Sequence, residues 1–172
     1  MYQPDSLDKV VPLRGIPQSS VGAPLPFVVS DEHTLLLGYI VQTIREKWDG
    51  TTVRIVEASS PGEPLSLIQF HMYYAYLFGP PNDEAFSGHP LAARGLEPYS
   101  AAEIENSSWI RSLELMNSVH SLHDPNTFRR LRHFIFAFHD SVFECVAEGF
   151  SVHLRAGPVR DLWPEMRSML GW

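Results

Sequence analysis

The segment HFIFAFHDSVFECVAEGF, His133 to Phe150, constrains this chain more than any other. Its apolar residues alternate over two runs that are separated by His-Asp-Ser, the pattern of a β-hairpin rather than a helix. A two-residue turn at Asp140-Ser141 sets His139 opposite Val142, Phe138 opposite Phe143, Phe136 opposite Cys145 and His133 opposite Glu148. Phe134, Phe136, Phe138, Phe143, Cys145 and Ala147 then share one face, which must be buried. Cys145 is thereby a small core residue rather than a nucleophile. The other face carries His133, Ile135, Ala137 and His139 beside Val142, Glu144, Val146 and Glu148. Its plain reading is a half-exposed sheet face kept soluble by charge. Its functional reading is half of a site, since a carboxylate orients a neighbouring imidazole as a base or metal ligand. That reading requires His71 or His89 to come over the same face.

Strand patterning recurs upstream. FVVS (Phe27 to Ser30) and TLLLGYIVQTI are split by Asp-Glu-His and predict two strands. Asp49-Gly50, a type I′ turn dipeptide, predicts a further hairpin pairing Trp48 with Thr51 and Ile44 with Ile55. LSLIQFHMYYAYLF predicts one long strand. Ile68, Phe70, Met72, Tyr74, Tyr76 and Phe78 lie on its core face, and His71 and Tyr73 on its mixed face. Ser107 is a candidate N-cap for a helix with a Trp109, Leu113, Met116 stripe. Asp124-Pro125 starts a short helix through Leu131. The terminal PVRDLWPEMRSMLGW predicts a last helix near Pro164. The fold class is therefore α+β: a mainly antiparallel, hairpin-rich sheet of five to seven strands, with two or three helices packed on one side. Residues 1–26 hold five prolines and read as an extended N-terminal arm. Residues 27–172 read as a single domain.

The connection from Gly79 to Ser100 is long and rich in turn residues, which is uncommon in a compact domain unless the segment is functional or disordered. It supplies Asn82, Asp83, Glu84 and His89. Asp83 or Glu84 would serve as general base with His89 as partner; the same residues are also ordinary turn chemistry. His120 and His123 before Asp124 fit a helix C-terminus followed by an N-cap. The catalytic candidates are thus His139, His89, Asp83 and Glu84. The ligand-binding candidates are His71, Tyr73, Asn82, His89, His133, His139, Glu144 and Glu148. A divalent metal such as zinc or iron would find its ligands among His89, His133 and His139. The chain has no Walker loop, nucleophile elbow, dinucleotide fingerprint or HEXXH motif.

A net charge of −7 argues against a nucleic-acid partner. No apolar run reaches the length of a membrane-spanning helix. One cysteine excludes an intrachain disulfide. Cytoplasmic residence is the expectation.

FGPPNDEAFSGHPL, NSVH and FAFHDSVFECVAEGF together resemble a family of small uncharacterised bacterial proteins, over Phe27 to Phe150. The resemblance implies a bacterial, cytosolic origin and transfers no activity. Two functions are expected to compete. One is a non-catalytic, immunity-like binding or accessory protein whose acidic surface engages a protein partner. The other is a His/carboxylate metal-dependent enzyme acting on a small molecule.

Overall fold

The computed structural model describes residues 2–43 and 55–171. Among the described residues, nine strands form two antiparallel sheets. In chain order they are β1 (Lys9–Pro12), β2 (Phe27–Ser30), β3 (Leu35–Ile40), β4 (Pro64–His71), β5 (Ala75–Gly79), β6 (Ala101–Glu105), β7 (Arg132–Ala137), β8 (Val142–Ala147) and β9 (Gly149–Ala156). The helices are α1 (Ser108–Asn117), α2 (Pro125–Arg129) and α3 (Trp163–Leu170). One sheet has the order β1-β6-β7-β8-β5 and the other β2-β3-β4-β9. The α+β, mainly antiparallel class expected from the hairpin pattern is the class observed.

The two sheets pack face to face over an aromatic centre. Phe134, Phe136, Phe138, Phe143, Cys145 and Ala147 meet Leu35, Leu37, Tyr39, Ile68 and Phe70. The Phe70 ring lies 5.3 Å from Phe143 and 6.2 Å from Phe134, spacings at which tilted aromatic pairs attract. The outer face of the β2–β3–β4–β9 sheet is closed by α3, through Leu162, Met166 and Leu170 against Leu36, Ile40, Leu65 and Leu67. The outer face of the other sheet is closed by α1, α2 and the Gly79–Ser100 connection, through Trp109, Phe128, Phe86 and Leu91. Gly38 lets this packing close: a Cβ there would sit 2.1 Å from the Phe27 ring, which lies flat across the strand.

Several expectations are corrected. The helices cover both outer sides, and the described residues form nine strands rather than five to seven. The long strand predicted over LSLIQFHMYYAYLF is two strands in different sheets. Met72 takes a positive φ of 49°, and the chain crosses from β4 to β5 there. This leaves Met72, Tyr74, Tyr76 and Phe78 exposed rather than buried in the core. The β7–β8 loop has four residues, pairing Ala137 with Val142 and His133 with Val146. His133 is therefore not opposite Glu148. A shift of two keeps every side chain on its predicted face, so the phenylalanine core survives it. The second face of the hairpin is not half-exposed: His133, Ile135, Val142, Glu144 and Val146 are all buried. The hairpin expected around Asp49-Gly50 lies outside the described residues. Segment 1–26 supplies β1, which pairs with β6, and it buries Tyr2 and Asp8.

Cys145 is fully buried and desolvation pushes its thiol well above the ordinary value. It is expected to stay unmodified by a thiol reagent at mildly alkaline pH and to react in full after denaturation. Fast native-state modification would contradict the packing.

Candidate functional site: a buried histidine–glutamate cluster

His133 on β7 and Glu144 on β8 lie on the same sheet face as diagonal neighbours, because Ile135 is the residue directly opposite Glu144. The Gly79–Ser100 connection folds back over that face and brings His89, at the end of a single 3₁₀ turn, onto the same carboxylate. The N-terminal segment adds Tyr2 from the far side. Three donors converge on Glu144: Tyr2 Oη at 2.6 Å and His133 Nε2 at 3.0 Å reach Oε2, and His89 Nε2 lies 3.4 Å from Oε1.

Proton positions follow from the remaining bonds. The Leu91 amide donates to His89 Nδ1 at 3.2 Å, so the proton of the neutral ring sits on Nε2, facing Glu144. His133 Nδ1 lies 2.9 Å from Ser107 Oγ. With His133 Nε2 donating to the carboxylate, the Ser107 hydroxyl donates to Nδ1. Ser107 also caps α1, its oxygen accepting from the Ile110 amide at 3.3 Å. Burial alone would raise the Glu144 carboxyl; hydrogen bonds from His133, His89 and Tyr2 outweigh it and hold the group at about 2. Burial, then the adjacent carboxylate, pushes the Tyr2 phenol upward.

Ser107, His133 and Glu144 thus stand in the order of a Ser–His–carboxylate relay. Access is what they lack. His133 is fully buried, and Ser107 and Glu144 are nearly so. Trp109 and Tyr2 stand edge-on to the His133 ring at 5.0 and 5.4 Å, and stack on each other at 5.4 Å. The amide of Ser108, the first of α1, already donates to the Asp8 carboxylate at 2.7 Å. Each polar group of the cluster spends its capacity on another. That is the behaviour of a core network that fixes the position of the N-terminal segment, the long connection and α1 on one sheet.

The other candidate residues lie apart from it. Asp83 and His139 do come together: the Asp83 amide donates to the His139 carbonyl at 2.8 Å. Tyr99 donates to the Asp83 carboxylate, which lowers Asp83 and pushes Tyr99 up to about 12. His139 lies 2.8 Å from Asp140, whose hydrogen bond raises the imidazole. Asn82 accepts from the Ala85 amide, which is turn chemistry. Glu84 is exposed. His71 bonds Ser151 at 2.7 Å, Tyr73 donates to the Asp31 carbonyl, and Glu148 pairs with Arg130. Neither His71 nor His139 joins His133. Among the described residues no group of three or more His, Cys, Asp or Glu side chains is arranged to hold a metal ion. A cavity of about 60 Å³ between the sheets, lined by Leu13, Ile16, Tyr39, Tyr99 and Phe138, has room for a few waters and not for a typical ligand. No helix among the described residues is long and apolar enough to cross a membrane.

Sequence reasoning named His89, His133 and Glu144 but missed Tyr2, Asp8 and the second role of Ser107. The one available signal was Ser107 as an N-cap. No protein-family model, curated protein or solved structure matches the chain.

Proposed function

We propose that this protein is a non-catalytic binding protein of the accessory or immunity-like kind, engaging a basic partner through an acidic surface. On the sequence resemblance, the same proposal sets it in the bacterial cytoplasm. The observation that carries it is the closure of the His89–His133–Glu144 cluster, which leaves its most reactive-looking residues with internal partners and no approach for a substrate. What faces solvent carries a net negative charge. The sequence holds 20 acidic against 13 basic residues. Between Arg14 and Arg94 the only Lys or Arg residues in the sequence are Arg45, Lys47 and Arg54. Such a surface steers a basic partner and weakens with salt.

The test is a titration of the full chain with oligolysine at low and moderate ionic strength, on wild type and His139→Ala, together with elemental analysis of untagged protein. Salt-sensitive binding equal in both proteins is the expected result. The competing reading, a metal-dependent enzyme acting on a small molecule, predicts a stoichiometric metal that is lost in His139→Ala. That result, or failure to bind oligolysine at low salt, would overturn the proposal.

A further inference from the structure

We infer that the outer edge of β5 is a docking site that takes an extended peptide segment, apolar at alternate positions and basic at its ends, by strand addition. The inference rests on the binding reading above and specifies its location and mode.

β5 is the last strand of its sheet, and among the described residues nothing pairs with its outer side. An open edge is a row of unpaired backbone donors and acceptors, and sheets normally blunt such rows with charged side chains, proline or a bulge. β5, Ala-Tyr-Leu-Phe-Gly, has no charged residue and no proline; Pro80 and Pro81 follow it and so set its length. Its apolar side chains stand in solvent instead: Tyr76 and Leu77 are 37% exposed and Phe78 is 42% exposed. Tyr76 and Phe78 point inward, onto the rim of the inter-sheet core at Phe143. An added strand would continue that face with apolar residues at alternate positions. β2, the edge of the facing sheet, runs beside it, with Ser30 Oγ 3.0 Å from Tyr76 Oη.

Charge selects the occupant. Asp31 and Glu32 stand at the start of β5, where Tyr73 donates to the Asp31 carbonyl, and Asp83 and Glu84 follow its end. No Lys or Arg occurs in β2, β5 or β8. A second copy of the chain would bring the same acids and a further −7 to the contact, which disfavours self-association. The other exposed apolar cluster, Leu115, Met116, Val119 and Leu122 at the end of α1, offers no strand edge, and the adjoining α2 carries Arg129.

The experiment uses the full chain and the peptide Lys-Lys-Val-Thr-Val-Thr-Val-Lys-Lys, with a Glu-ended version and a version with proline at its centre as controls. The expected result is saturable binding of the Lys-ended peptide alone, with amide exchange slowed over residues 75–79. Leu77→Lys should weaken binding at least tenfold while keeping the native circular dichroism spectrum. Glu84→Lys, on an exposed side chain beyond the strand, should weaken it and flatten its salt dependence. Equal binding of the Glu-ended peptide, protection confined to residues 115–122, or a dimer protected at β5 without peptide would each overturn the inference. Oligolysine binding without strand-peptide binding overturns this inference and leaves the broader reading intact. Loss of both overturns both.

Discussion

Glu144→Gln is expected to destabilise the native state by about 3 kcal/mol at neutral pH, with most of that deficit vanishing in acid. Three donors point at this carboxylate, and an amide would turn two hydrogens of its own toward them. The folded state holds the group at about 2 against an ordinary 4.5. Its folded value is the lower one, so its contribution is complete above 4.5 and is lost as pH falls toward 2. The interval corresponds to about 3 kcal/mol. Asp5, Asp31, Asp83 and Glu165 are also held low and titrate in both proteins. The difference between the two urea-midpoint curves therefore reports on Glu144 together with the side chains bonded to it. Curves that converge between pH 4.5 and 2 fit the network; parallel curves refute it.

Tyr2→Ala is expected to cost roughly 3 kcal/mol. Tyr2 is only 8% exposed, stacks on Trp109 and donates at 2.6 Å to a buried charge. Tyr2→Phe separates the parts: it keeps the stack, loses the bond to the carboxylate, and should cost about 2 kcal/mol. Urea unfolding of both variants makes the comparison. A Tyr2→Ala protein within about 0.5 kcal/mol of wild type, the range of ordinary surface changes, would mean that the N-terminal segment does not close the cluster.

The sequence was most legible where its period was unbroken. In β7 and β8 every phenylalanine alternates, so both faces could be assigned even though the loop is four residues long and the register slides by two. A slide of two is invisible to a period-two pattern. The N-caps at Ser107 and Asp124 were legible for a local reason: one side chain answers one amide two or three residues on. The break between β4 and β5 was not legible, because Met72 adopts its positive φ with no glycine to announce it. β1, β6 and β9 went unread. AAEIE has little strand character by itself and is held by its neighbours on either side.

At the site, the alternation put His133 and Glu144 on one face, and His89 was named from loop composition. Their union depends on how a long connection folds back, which no local pattern encodes. Tyr2 is the sharper case. It sits in a proline-bounded polar segment with no period at all, and only its tertiary position makes it the lid of the cluster. The plain reading of the second hairpin face failed for the same reason, since it assumed that nothing would come to cover it.

Residue-resolved hydrogen exchange of the full chain, with and without the Lys-ended strand peptide, tests the central claim most directly. The account predicts slowed exchange over residues 75–79, with the amides around His89, His133 and Glu144 unchanged. Slowed exchange at those three residues, with β5 unaffected, would place the working surface at the cluster and contradict it.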